Sequence, residues 1–93
     1  MSAVLSEEEI EGALKKLPEW EHLNGAIERM FEFEDFNGAM EFVNTMAEVA
    51  EEADHHPDID IRWNKVRLAL VTHSAGGVTE SDTEMAQRID RLE

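Results

Sequence analysis

The hydrophobic pattern of this chain changes period at Pro57, and no other feature constrains the fold as strongly. Before this proline, apolar residues recur at helical spacing over about residues 36–54. Beyond it, residues 58–63 and 66–71 each alternate between polar and apolar side chains, a pattern typical of half-buried strands. Because proline disfavours helical backbone in the preceding residue, we predict that a long helix stops here. A hairpin should follow, with Asn64-Lys65 as its turn.

Capping signals predict two further helices near the ends of the chain. In each signal a hydroxyl side chain precedes an acidic residue by three positions, which satisfies free N–H groups in the first turn of a helix. The two pairs are Ser6 with Glu9 and Thr79 with Asp82. An apolar stripe follows each pair, and Pro18 should end the first helix.

A second hairpin is predicted around Asn24-Gly25. This dipeptide suits a type I′ turn, since both central residues of such a turn need positive φ. The strands would cover residues 20–23 and 26–33, with His22 opposite Ile27. We interpret His22 as a structural or exposed residue.

These elements predict the fold class. Their order is αββαββα, which favours an α+β fold with an antiparallel four-stranded sheet and helices packed on one face. Ninety-three residues are enough for one hydrophobic core and too few for two. We therefore expect residues 1–93 to form a single domain.

The charge balance excludes two classes of partner. The chain has 22 acidic and 8 basic residues, a formal net charge of −14. Nucleic acids and anionic membranes are both bound through clustered Lys and Arg, so we expect neither as a partner. An ordinary acidic protein would explain the surplus, but the hypothesis that we favour is adaptation to a high-salt, halophilic cytoplasm.

The sequence predicts a cytoplasmic protein. The first nine residues, MSAVLSEEE, lack the basic and apolar regions of a signal peptide. No stretch approaches the ~20 apolar residues that span a bilayer. The chain has no cysteine, so a disulfide framework and a thiolate metal site are both excluded.

Three of the four histidines cluster in the segment 51–82. If the second hairpin pairs Trp63 with Val66, then His56 lies opposite His73. Imidazole titrates near ~6.5, so one ring can donate a proton while another accepts one. The cluster therefore favours general acid–base chemistry.

Two other interpretations of the histidines are less favoured. Zinc or iron could be bound, but adjacent histidines in extended chain point to opposite faces, and neither His-x-His nor HExxH occurs. The histidines could also be ordinary helix-end and surface residues.

Two other motifs in this segment do not predict chemistry. Ser74 lacks the context of an activated nucleophile, and Gly76-Gly77 lacks the following Lys of a phosphate loop.

The histidine segment resembles the signature of the pterin-4a-carbinolamine dehydratase family. That signature consists of an acidic residue, a His-His-Pro tripeptide, an aromatic residue, a later histidine and a final aspartate. The matching positions here are Glu51, His55-His56-Pro57, Trp63, His73 and Asp82. Further similarity lies in Trp63-Asn64-Lys65-Val66, Thr72-His73 and Gly76-Gly77-Val78-Thr79.

The resemblance implies dehydration of a 4a-hydroxytetrahydropterin to the quinonoid dihydropterin, in tetrahydropterin (tetrahydrobiopterin) recycling. The pterin would be the substrate, and no cofactor and no metal is expected. A homodimer or homotetramer is implied, with an aromatic amino-acid hydroxylase as a possible partner in the same pathway. The alternative is a non-catalytic binding, assembly-chaperone or coactivator module, since the family includes such forms.

The resemblance also implies roles for individual residues. His55 and His73 would form the acid–base pair, His56 would bind or assist, and Glu51 would orient His55. The division of labour between His55 and His56 stays open, because the predicted register pairs His56 with His73. Asp82 can also be explained as an acid at a helix N-terminus. The residues expected to bind substrate are Pro57, Trp63, Thr72, Ser74, Ala75 and Asp82, with Thr72 to Ala75 lining the pterin through the backbone.

Overall fold

The computed structural model describes residues 3–92 and has the predicted element order. The four strands form one antiparallel sheet in the order β1-β2-β4-β3. The predicted α+β class is thereby confirmed. The elements are α1 (Glu7–Leu14), β1 (Glu21–Leu23), β2 (Ala26–Glu32), α2 (Phe36–Ala53), β3 (Asp58–Arg62), β4 (Lys65–Leu70) and α3 (Glu80–Asp90).

The caps and the first hairpin follow the sequence signals. Both predicted capping boxes are present, at the starts of α1 and α3. In the β1–β2 hairpin His22 pairs with Ile27, as predicted. Asn24 and Gly25 have φ values of 52° and 78°, the positive values that a type I′ turn requires.

The second hairpin turns one residue earlier than predicted. Arg62 pairs with Lys65, so the turn is Trp63-Asn64 and the predicted Asn64-Lys65 turn is wrong. The Asn64 side-chain amide donates to the Phe33 carbonyl at 2.9 Å, and the Phe33 N–H donates to the Asn64 carbonyl at 2.9 Å. These two bonds anchor Asn64 against the end of β2. The alternating pattern could not distinguish the registers, because both keep the same side chains on the core face.

The core lies between one face of the sheet and the helices, as predicted. Apolar side chains alternate along β2 and β4, and the helices contribute residues at helical spacing. Among the buried residues from the strands are Ile27, Phe31, Val66, Leu68 and Leu70, and among those from the helices are Ile10, Phe42, Met46, Met85 and Ile89.

A polar contact at the rim of this core joins the last turn of α3 to the sheet. Asp90 Oδ1 accepts a hydrogen bond from Trp20 Nε1 at 2.9 Å and from Arg29 Nη1 at 2.7 Å. The Arg29 guanidinium also lies 4.1 Å from the Phe31 ring centroid, within cation–π range. The side chains of Arg29 and Asp90 are only 14% and 26% exposed. This contact therefore links α3 to β2 and to the residue just before β1 in a partly desolvated setting.

Helices long and apolar enough to cross a bilayer are absent from residues 3–92.

The surplus negative charge predicts that salt stabilises the fold. Of the eight basic residues, four form ion pairs within residues 3–92, namely Arg29, Arg62, Arg67 and Arg88. Most carboxylates therefore repel one another. The Debye length falls from ~10 Å at 0.1 M to ~3 Å at 1 M salt, which screens that repulsion. We expect the melting temperature to rise by about 5 °C or more over this range of KCl, equivalent to roughly 1 kcal/mol.

A charge variant provides the control for the salt effect. Glu11, Glu41 and Glu48 are exposed on helices, so changing all three to Gln removes three negative charges without altering the core. The triple variant should gain less from added KCl than the parent. A parental melting temperature that stays flat or falls with KCl would contradict salt adaptation.

Candidate functional site

The ends of four elements meet at one edge of the molecule. The start of β3 pairs with the end of β4 through Asp58 and Ala69. His55, which follows α2, contacts Asp82 in the first turn of α3. Two short segments connect these ends, and they carry His55, His56 and His73. The topology thus brings the three predicted histidines to the same end of the sheet.

α2 ends in a left-handed residue that redirects the chain. Asp54 has φ 51° and ψ 42°. The Asp54 N–H donates to the Glu51 carbonyl at 3.2 Å, and the His55 N–H donates to the Ala50 carbonyl at 3.0 Å. Paired bonds of this kind form the Schellman motif, which satisfies the last free carbonyls of a helix. His55 consequently leaves the helical path and no longer continues the face of Glu51.

Because of this turn, Glu51 pairs with a different histidine from the one expected. Glu51 Oε2 lies 2.5 Å from His56 Nε2. Glu51 therefore contacts His56, whereas the sequence-based prediction paired it with His55. The expectation assumed that the helix continues through His55, which would place Glu51 one turn before it on the same face. The side chains of Glu51 and His56 are 77% and 54% exposed, so water screens their attraction.

His55 instead pairs with a buried carboxylate. Its Nε2 lies 2.5 Å from Asp82 Oδ1, and the two side chains are 17% and 0% exposed. An ionised carboxylate accepts hydrogen bonds only, so this contact places a proton on Nε2 of His55. The other ring nitrogen, Nδ1, is then the one that can exchange protons.

The second oxygen of Asp82 is also fully engaged. Asp82 Oδ2 accepts from the Thr72 hydroxyl at 2.9 Å and from the Thr79 N–H at 2.8 Å. The expectation that Asp82 contacts substrate does not agree with this geometry, because its carboxylate is wholly buried. Asp82 is the acidic residue at the N3 position of the α3 capping box, which agrees with its alternative interpretation as an acid at a helix N-terminus.

His73 lies on a tight loop between β4 and α3. Thr72 and Gly77 close the loop as an isolated antiparallel bridge, and Gly76 adopts φ +80°, which glycine tolerates without strain. His73 is exposed, and within residues 3–92 its side chain makes no hydrogen bond or ion pair; only its carbonyl is engaged, by the Gly76 N–H at 3.2 Å. Its ring is therefore free to meet a ligand.

The neighbours of His73 keep their predicted positions on this loop. Ser74 is exposed, Ala75 is half-buried, and the Ala75 N–H donates to the Thr72 carbonyl at 3.0 Å. From the N-terminal side, the Leu5 N–H donates to the Val78 carbonyl at 2.8 Å, which fixes the chain just after the loop. The binding of a substrate by these residues stays a prediction.

Two expected features do not lie beside the histidines. Trp63 lies at the far end of β3, and five strand residues at ~3.3 Å each separate it from Pro57 by more than about 17 Å. Within one chain, Trp63 therefore lies well away from the histidines, whereas the buried Pro57 adjoins them. The predicted pairing of His56 with His73 is also wrong, because the observed register would place His56 opposite Val71.

Among residues 3–92, no group of three or more His, Asp or Glu side chains is arranged to hold a metal ion. A shallow depression of about 300 Å³ lies elsewhere, on the outer face of the sheet. The two arginine side chains that line this depression are partly neutralised, since Arg67 pairs with Glu28 at 2.6 Å and Arg62 pairs with Asp60 at 3.2 Å.

Sequence reasoning missed two side chains at this site. Thr72 was expected to offer its backbone to substrate, yet its hydroxyl points to Asp82, and Thr79 was considered only as a cap. A signal was available: Val66, Leu68 and Leu70 face the core, and the same alternation places Thr72 on that face.

Comparison with a solved structure places the whole fold in a known class. A crystal structure from Brucella melitensis, described as a transcriptional coactivator/pterin dehydratase, matches with a TM-score of 0.91 and 40% sequence identity. The match covers 96% of this chain and 97% of the other. The model of the pterin 4 alpha carbinolamine dehydratase family matches residues 3–92. The chain belongs to this family.

Curated relatives agree with this assignment. A protein of Mycolicibacterium smegmatis is 52% identical over 90 residues, which cover 97% of this chain and 96% of the relative. A protein of Acidobacterium capsulatum is 57% identical over 90 residues, covering 97% and 98%. Both are provisionally named pterin-4-alpha-carbinolamine dehydratase.

Proposed function

We propose that this protein dehydrates a 4a-hydroxytetrahydropterin to the quinonoid dihydropterin by histidine acid–base catalysis. The observation that carries the proposal is the His55–Asp82 pair, at the same end of the sheet as the exposed His73. Family membership supplies the substrate class. A buried carboxylate that fixes one nitrogen of an imidazole is a common device for aiming the other nitrogen at a reacting group.

The reaction needs only proton movements. One histidine donates a proton to the C4a hydroxyl, which leaves as water, and the other removes the N5 proton as the C4a–N5 double bond forms. His55 and His73 fill these two roles. Each ring ends the cycle in the opposite protonation state, and exchange with solvent restores both. No cofactor and no metal takes part in this scheme.

The remaining residues of the site bind the pterin ring or orient the residues that bind it. His56 assists at the mouth of the site, and Glu51, which contacts it, orients its ring. The backbone of residues 72–75 lines the substrate, beside Pro57. The product would be recycled to tetrahydropterin, and an aromatic amino-acid hydroxylase in the same organism would supply the substrate.

A stopped-flow assay with chemically generated 4a-hydroxytetrahydropterin tests this proposal. The protein should accelerate dehydration above the rate in buffer, and dialysis against a strong chelator should leave that rate unchanged. No acceleration, together with no detectable pterin binding, would reject the function. Activity that chelation removes and zinc or iron restores would reject the metal-free scheme.

A non-catalytic role is the second candidate, because the similar Brucella protein is described as a coactivator as well as a dehydratase. A coactivator or assembly module would bind a protein partner whether or not it turned over pterins. A folded protein without turnover in the assay above would favour the non-catalytic module, which requires no acid–base pair, whereas turnover would support the dehydratase.

We also propose that the protein assembles as a homodimer or homotetramer. β1 and β3 are the edges of an open sheet, and unpaired edges need cover. Ile59 on β3 is 43% exposed, so this edge also presents apolar surface. Light scattering in molar KCl should give a mass of two or four chains. A single-chain mass at micromolar concentration would contradict assembly.

A further inference from the structure

The Asp82 carboxylate is held by a directed chain of hydrogen bonds that begins in the backbone of α3. The Ser81 N–H donates to Thr79 Oγ1 at 3.2 Å, and Thr79 Oγ1 lies 2.8 Å from Thr72 Oγ1. Thr72 Oγ1 in turn lies 2.9 Å from Asp82 Oδ2. Every link is at ordinary hydrogen-bond distance.

The chemistry of the end groups fixes the direction of this chain. A carboxylate only accepts, so the single proton of the Thr72 hydroxyl points at Asp82. The Thr72 oxygen must then accept from the Thr79 hydroxyl, whose own oxygen accepts from the Ser81 N–H. The chain therefore runs from the α3 backbone to the carboxylate, and Asp82 receives donors on Oδ2 from Thr72 and Thr79.

This arrangement leaves one oxygen of Asp82, Oδ1, for His55. With Oδ2 occupied twice, Asp82 Oδ1 faces Nε2 of His55. The two donors on Oδ2 set the rotation of the Asp82 carboxylate about its Cβ–Cγ bond. Removal of the Thr72 donor would leave the Thr79 N–H alone to hold that rotation.

We propose that Thr72 is a positioning residue, whose hydroxyl orients Asp82 so that His55 carries its proton on Nε2 and uses Nδ1 toward the substrate. This inference rests on the proposed function for its catalytic consequence, but the protonation of the His55 ring can be measured without turnover. Thr72 itself need not touch the pterin through its side chain.

The test compares two substitutions at one position. Thr72→Val keeps the β-branched shape and removes the hydroxyl, and Thr72→Ser keeps the hydroxyl. We expect Thr72→Val to lower kcat by about tenfold, less than the ~10²-fold that a misplacement of about 1 Å can cost, with a smaller change in KM. Thr72→Ser keeps the hydroxyl donor, so its kcat should stay close to that of the parent.

Thr83→Val is the matched control. Its hydroxyl is also largely buried in the first turn of α3 but donates to the Glu80 carbonyl, away from Asp82. It should leave kcat unchanged. A purely structural role for Thr72 would instead lower stability without separating the Val and Ser variants in kcat. Equal kcat values for folded Thr72→Val and the parent would overturn the proposal.

Long-range ¹H–¹⁵N correlation of the His55 ring gives the second readout. The parent should show a protonated Nε2 and an unprotonated Nδ1 when the ring is neutral, and Thr72→Val should show exchange between the two tautomers. A parental ring protonated on Nδ1 would overturn the proposal even if the valine variant failed to fold. A parent without dehydratase activity but with the expected tautomer would reject the proposed function alone.

Discussion

His55→Ala and His73→Ala should each lower kcat for 4a-hydroxytetrahydropterin by about 10²–10⁴-fold, the usual contribution of a general acid or base. His55 is oriented by a buried carboxylate, and His73 lies exposed on its loop. Neither ring fills a position in the hydrophobic core. The loss should therefore appear in turnover by the folded protein, and stopped-flow kinetics together with circular dichroism would measure both properties.

Two further variants separate catalysis from structure. His55→Ala leaves Asp82 without one of its donors, so His55→Gln should be measured beside it, because its amide can still donate to Asp82 but cannot exchange a proton. His22→Ala removes an exposed histidine on β1, and its activity should equal that of the parent. Rates within twofold of the parent for the His55 and His73 variants would refute the assignment.

Asp90→Ala should produce the largest loss of stability. The substitution leaves the Arg29 guanidinium, 14% exposed, without its Asp90 carboxylate, and it removes the acceptor of the Trp20 indole. Breaking one partner of a buried ion pair costs about 3–5 kcal/mol, and the partial exposure of Asp90 places this case near 3 kcal/mol. Thermal unfolding should show a decrease of roughly 12 °C or more in melting temperature.

An exposed ion pair supplies the control for this measurement. Glu52 pairs with Arg88 at 2.5 Å, but the two side chains are 73% and 38% exposed. Glu52→Ala should change the free energy of unfolding by no more than about 1 kcal/mol. Similar melting temperatures for the Asp90 and Glu52 variants would show that the contact at the core rim contributes no more than a surface pair.

The fold could be predicted because its signals are local. The capping boxes and Asn24-Gly25 each determine a few neighbouring dihedral angles, and the change of period at Pro57 separates α2 from β3. The register of the second hairpin depends on a contact between residues 31 positions apart, Asn64 and Phe33. No local pattern encodes that contact, so the turn was predicted one residue too late, at Asn64-Lys65 instead of Trp63-Asn64.

The candidate site was predicted in location but not in its pairings. The three histidines lie at one end of the sheet, as their positions beside the hairpin indicated. Their partners depend on Asp54, whose left-handed backbone carries His55 toward α3 and leaves Glu51 beside His56. Aspartate in this conformation is less common than glycine, and the sequence gives no clear sign of it.

The two tryptophans differ so strongly in environment that the chain carries its own optical probes. Trp20 is 3% exposed and hydrogen bonded to Asp90, whereas Trp63 is 67% exposed at the hairpin turn, and the chain has no tyrosine. Acrylamide should quench the emission of Trp63 in the native protein and reach Trp20 only after unfolding. In Trp63→Phe, the remaining fluorescence would come from Trp20 and report whether the core is intact. The difference in emission between the parent and Trp63→Phe would come from Trp63, and protection of that emission from acrylamide would show that another surface covers the hairpin turn.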